Sequence, residues 1–242
     1  GDLVVLSAAD DISVPSRVSR LVESWKEHGK PTACIGSAFQ NIDHSGAYVD
    51  NVFPTMFPDF TLSVQDFASS NQCLTGATGA YTKNLFEDFR FLAEGLVNED
   101  RALPFRCKLM GGCGIYIDER LVLYRLGGES NSPSASNPNE DPYRSRRIID
   151  YRQKIIDAEV KLSFEDFCRV RDVCLFELSL FKLSKAAYAG EMNVIRLLRE
   201  IECARSHVII AYAFFFWSYS LSRSTWRFLR NICLKLPVRD VR

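Results

Sequence analysis

The chain has 242 residues, 47% hydrophobic and 25% charged, with 30 Lys and Arg against 30 Asp and Glu. That length suits one large domain or two small ones, and the apolar content can fill a real core, which excludes a disordered or collagen-like chain. Neutrality argues against a general nucleic-acid binder, yet the charge is dipolar: residues 1–142 carry 11 basic and 19 acidic side chains (net −8), residues 143–242 carry 19 and 11 (net +8).

Residues 3–7 (LVVLS) are a short β-rich apolar run that predicts a buried strand, ending in Ala8-Ala9-Asp10-Asp11. A helix follows, with Ser13 as N-cap, Pro15 in its first turn, and Val14, Val18, Leu21, Val22 and Trp25 on one face; Gly29 ends it. Residues 32–39 (TACIGSAF) give the next strand, and strand–helix–strand reads as a βαβ unit of an α/β fold. Residues 40–72 read as irregular. Residues 73–82 read as a strand turning into a loop, and Thr82 as the cap of a helix bearing Leu85, Phe86, Phe89 and Leu92. Asn98 caps another helix, which Pro104 should kink. Residues 113–118 and 121–125 predict a hairpin.

From Gly127 to Pro142 the composition falls to Gly, Ser, Asn, Pro and acids, which marks a linker. Residues 143–242 then read as a helical, basic tail. Residues 143–162 carry Ile148, Ile155, Ile156 and Val160 at helical spacing. Ser163-x-x-Asp166 resembles a capping box for a helix to about Ala189, broken at Gly190. Residues 208–221 form the most apolar stretch. At about 1.5 Å per residue it falls short of the roughly 30 Å hydrocarbon thickness, which favours a core or interfacial helix over a span. Residues 223–236 set Trp226, Leu229, Cys233 and Leu236 apart from Arg223, Arg227, Arg230 and Lys235. So 208–236 suits either an anionic membrane surface or the solvated face of a bundle.

The eight cysteines form no CxxC pair and there are three histidines, so a structural zinc site is disfavoured and the thiols read as free in a reducing compartment. No signal peptide is visible. Opening on Gly1 rather than Met, the chain reads as a piece of something longer.

Three sets of residues could do chemistry. Asp10 and Asp11 follow a strand end, where open α/β sheets bind ligands, and a carboxylate pair there can hold Mg²⁺ or Mn²⁺ on a diphosphate. The plainer reading is an acidic helix start. Glu99 and Asp100 open a helix, either as helix electrostatics or as a general base acting on a hydroxyl. Tyr124-Arg125 runs into Gly127-Gly128, where Arg125 could meet a phosphate or simply lead into the linker.

In order and spacing these segments resemble family 2 glycosyltransferases. LVVLSAADDISVPSRVSRLVESW resembles the segment carrying their acidic metal motif, including its Pro-x-Arg; TGATGAYTKNLFEDF resembles their acceptor-side loop; NEDRALPFR their Glu-Asp motif; YIDERLVLYRLGGES their closing strands. The resemblance covers about residues 1–130. It implies an incomplete GT-A, Rossmann-like mixed sheet over 1–126, ahead of the linker over 127–142 and the helical region after it that the composition marks. It also implies inverting transfer from a nucleotide-diphosphate sugar donor to a glycan or glycolipid acceptor at the cytoplasmic face of a membrane. Asp10 and Asp11 would bind the divalent metal (Mn²⁺ or Mg²⁺) and donor diphosphate with Arg125 nearby, Asp100 would be the base, and Glu99 its neighbour. Two positions depart: Ala8 stands where the family often has a further Asp, and Gly127 where many members have His. The family's opening nucleotide-binding strands have no counterpart here. Ala8, Gly127 and that gap favour a rival, a non-catalytic scaffold on the same fold. A metal-dependent phosphatase or nucleotidyltransferase would need a nucleophile or phosphate loop that the sequence lacks.

Overall fold

A computed structural model describes residues 1–50, 54–127 and 141–188. Most of the linker, the break at Gly190 and the segments 208–221 and 223–236 lie outside the described residues. The architecture is α/β. The chain runs through β1 (Leu3–Val5), β2 (Ile12–Ser13), α1 (Arg17–Glu27), β3 (Ala33–Ile42), α2 (Val64–Ser69), a 3₁₀ turn at Gly76–Thr78, β4 (Ala80–Thr82), α3 (Asn84–Glu87), α4 (Glu99–Leu109), β5 (Cys113–Arg125), α5 (Asp141–Lys161) and α6 (Phe164–Tyr188).

The strands form one mixed sheet in the order β1-β4-β3-β5-β2. β3 and β5 are parallel; every other pair is antiparallel. β1 and β3 therefore point the same way with β4 between them, rather than forming a directly paired βαβ unit. Among the described residues β1 is an edge strand, so its side chains are only partly buried.

β3 is the central strand and shows why. Ala33 and Ile35 face α1, joining Leu21, Trp25, Ile115, Ile117 and Leu121. Cys34 faces the other way, among Leu74, Tyr81, Leu85, Leu103 and Cys107. A strand buried on both faces reads as an unbroken apolar run, which is how residues 32–39 appear in the sequence.

The predicted hairpin is a single 13-residue strand. A two-residue hairpin turn needs positive φ, and none of residues 118–120 has it. Asp118 and Glu119 instead form a bulge: Ser37 pairs with Ile117 and Ala38 with Arg120. Thr82 caps no helix. It lies in β4, where its Oγ1 accepts from the Ala33 N–H at 3.2 Å, and α3 is a single turn. Ser13 lies in β2 and accepts from Arg17; the α1 N-cap is Ser16, and Val18 points to solvent. The segment 40–72 is not wholly irregular, since it holds the end of β3 and all of α2.

The Ser163 capping box is present. Ser163 Oγ accepts from the Asp166 N–H at 3.2 Å and donates to its carboxylate at 2.9 Å. α5 and α6 share a core with α2 and α4: Phe67 and Phe105 pack with Tyr151, Ala158, Val170, Cys174 and Leu178. Among the described residues no helix is long and apolar enough to cross a membrane.

Candidate active site

Asp10, Asp11 and Arg125 meet at the corner where the chain leaves β1 and β5 ends. Asp11 Oδ1 accepts from the backbone N–H of Arg125 at 2.8 Å, because the short β2–β5 pairing brings the two segments together. Asp11 Oδ2 is shielded from solvent and has no hydrogen-bond partner. Burial pushes the Asp11 carboxyl up and Asp10 adds to this, while the Arg125 N–H and the charges of Arg125 and Arg17 oppose it. The Arg125 guanidinium donates to three backbone carbonyls, Asp10 at 3.0 Å, Asp43 at 2.9 Å and His44 at 3.0 Å. It shapes this corner by holding the chain.

Arg17 is 2% exposed and ties this corner to the next. It donates to Ser13 Oγ at 2.9 Å, to the Leu6 carbonyl at 2.8 Å and to the Ala77 carbonyl at 2.9 Å. Ala77 belongs to the 3₁₀ turn. A Cβ at the neighbouring Gly76 would stand 3.5 Å from Asp100 Cβ and 3.8 Å from both Asp100 Oδ2 and Glu99 Oε1. The two acidic pairs are thus linked through one buried arginine and one turn.

Asp100 sits in the first turn of α4. Pro104 has no N–H to give the Asp100 carbonyl four residues back. That carbonyl instead accepts from the Leu74 N–H at 2.9 Å, which docks the 74–78 loop on the helix start. The helix runs on through Pro104. The Asp100 carboxyl is partly buried, and its Oδ1 is shielded and unpartnered. Burial raises its pKa to about 7; Glu99 and Asp150 add to this, and Arg101 and Arg147 oppose it.

The sequence reading missed the α5 side of this site. Arg147, Asp150, Gln153, Lys154 and Asp157 are all buried, whereas Ile148, Ile155 and Ile156 are only partly so and Val160 is exposed. Asp150 accepts from Asn98 Nδ2 at 3.0 and 2.9 Å, one bond to each oxygen. Lys154 donates to the Ala68 carbonyl at 2.8 Å and lies over the Phe105 and Tyr151 rings; burial lowers its pKa to about 8. One signal was available: Arg147, Asp150, Lys154 and Asp157 themselves recur at helical spacing.

Mg²⁺ and Mn²⁺ take hard oxygen ligands, and the Asp10 carboxylate with the unpartnered Asp11 Oδ2 fits that donor type. Among the described residues no three His, Cys, Asp or Glu side chains gather in a way that could hold a metal. Compared with known proteins, the chain matches no family model and no curated sequence.

Proposed function

We propose that the chain carries the acceptor-activating part of an inverting glycosyltransferase, which moves a sugar from a nucleotide-diphosphate sugar to a hydroxyl of a glycan or glycolipid. One observation carries the reading. Asp100 is a carboxyl raised to about 7, with an unpartnered oxygen, beside a glycine in a loop. A base works best when its pKa lies near the working pH. Asp100 accepts the proton of the acceptor hydroxyl as that oxygen bonds to the anomeric carbon. The bond from that carbon to the diphosphate breaks on the opposite face, and the nucleoside diphosphate leaves with the bonding pair. Asp10 and Asp11 would hold Mn²⁺ or Mg²⁺, which when bound offsets the charge of the leaving diphosphate. Arg17 keeps the acidic corner and the acceptor-side turn in fixed relation. The basic segment 208–236 would bring the protein to an anionic membrane surface at the cytoplasmic face.

One observation favours the scaffold reading: Arg125 is directed to backbone carbonyls rather than outward to a phosphate. Titration calorimetry of UDP and dTDP into the full-length protein, with and without Mn²⁺, separates the two. Metal-dependent binding that Asp11→Asn weakens supports the transferase. Absence of binding in every condition moves the scaffold ahead.

A further inference from the structure

α4 begins without the usual side-chain cap. The side chain of its N-cap residue, Asn98, makes no bond to the free N–H groups of the first turn. The Asn98 amide points to α5 instead and donates to both oxygens of Asp150. Asp150 is 3% exposed and also pairs with Arg147 at 3.4 Å and with Arg101 Nε at 3.9 Å. Residues 98 and 101 flank Asp100 in the chain, so one buried carboxylate on α5 holds the helix start from both sides of it.

We infer that Asp150 is a positioning residue for Asp100: its carboxylate, bonded to Asn98 and ion-paired with Arg101, fixes the turn of α4 that aims the Asp100 carboxyl. The inference rests on the reading of Asp100 as the base. Three facts support it. An unpaired carboxylate does not sit in a protein interior without cost, and here Asp150 is met by Asn98 and Arg101 at the start of α4 and by Arg147 one turn back on α5. The opposite side of the same turn is held by the Leu74 N–H on the Asp100 carbonyl, so the residue is gripped from two directions. The charged and titratable groups that act on Asp100 are Glu99 and Arg101 on α4, Arg147 and Asp150 on α5, Tyr81 on β4, and Cys73 before the turn. Among these Asp150 both touches the α4 backbone turn through Asn98 and opposes ionisation of Asp100.

The test compares the full chain with Asp150→Asn and Asn98→Ser. The Asp100 carboxyl is followed by ¹³C NMR of labelled aspartates and assigned by its loss in Asp100→Asn. Amide exchange is followed at Leu74 and across α4. Asp150→Asn removes a negative neighbour and leaves Arg101 and Arg147 less compensated, and both changes favour ionised Asp100. Its titration should move to lower pH. Exchange at Leu74 should speed up more than at residues 105–109. Where transfer is assayed, kcat should fall about 10- to 100-fold with donor KM unchanged, the cost of a misaimed group. An unmoved Asp100 titration in folded protein, or exchange that rises uniformly, overturns the proposal. If Asp150→Asn does not fold, Asn98→Ser carries the test. It supplies a capping hydroxyl and keeps the Asp150 charge, and selective exchange at Leu74 supports the proposal while its absence overturns it. Failure of the base reading shows elsewhere, as full turnover by Asp100→Asn.

Discussion

The carboxyl of Asp100 keeps its proton to about pH 7, against an ordinary 3.8 for an aspartate in an unfolded chain. Between those values the folded state binds more proton than the unfolded state, so stability falls as pH rises through that window. Asn carries no such charge. Asp100→Asn should therefore gain stability over wild type from pH 4 to pH 7 and hold the gain above it, on the order of a few kcal/mol. Urea unfolding at pH 5 and pH 8 measures this, and a gain that shrinks with pH contradicts it. Activity runs the other way: kcat/KM should rise with pH through about 7 as the base deprotonates, and Asp100→Asn should lose about 100-fold or more in turnover with donor binding retained. Gly76→Ala offers a steric probe. Its Cβ meets Asp100 only at ordinary contact distance, so the fold should hold. An acceptor hydroxyl approaching over that turn should bind less well, read as a raised acceptor KM. The acids at 10, 11, 99 and 100 were legible because they cluster at element ends. Asp150 was not, since it lies within a helix whose isoleucines suggested a different inward face.

At the scale of elements, Pro104 acts beyond its own helix. It lies inside α4, and the carbonyl it leaves without an intrahelical partner anchors the 74–78 loop. Pro104→Ala supplies an N–H that competes with Leu74 for the Asp100 carbonyl. Helix propensity improves by up to about 3 kcal/mol, so the helix should be no less stable. The Leu74 amide should nonetheless exchange faster, and turnover should fall. Protection of Leu74 equal to wild type would show that the loop is held by other means. Elements whose signal is local were readable: β3 from its apolar run, the length of α5, the Ser163 box and the α4 start at Asn98. Elements that depend on distant partners were not. β5 reads as two strands until β3 lies beside it and absorbs Asp118 and Glu119 as a bulge. Thr82 reads as a cap until the Ala33 N–H across the sheet claims its hydroxyl.

On the scale of the molecule, the sequence sets an acidic part before 142 and a basic part after it. The described helices of the second part nevertheless complete the core of the first. A buried polar link between them joins Arg106 on α4 with Asp157 on α5, at 1% and 0% exposure. Arg106 donates to both Asp157 oxygens, at 2.9 and 3.0 Å, and to the carbonyls of Leu85 and Arg90; its guanidinium also lies 4.8 Å from the centre of the Phe89 ring. Gln153 extends the link, donating to Asp157 and accepting from the Ala93 N–H. Burial raises the Asp157 carboxyl and outweighs the Arg106 bonds, which act to lower it. The pair therefore draws little net stability from its charges, but each charge depends on the other. Asp157→Ala strands a buried guanidinium and should cost about 3–5 kcal/mol. Replacing both partners, with Arg106→Met and Asp157→Leu, should recover part of that loss, because no charge is then buried unpaired, although the Leu85 and Arg90 carbonyls and the Gln153 amide lose a partner. Urea unfolding of the two variants decides between a specific charge link and general packing. If the pair acts as argued, the single variant is weaker than the double. Equal losses would mean that the apolar contacts of α5 and α6 with Phe67 and Phe105 hold the helices, and that the charges merely follow.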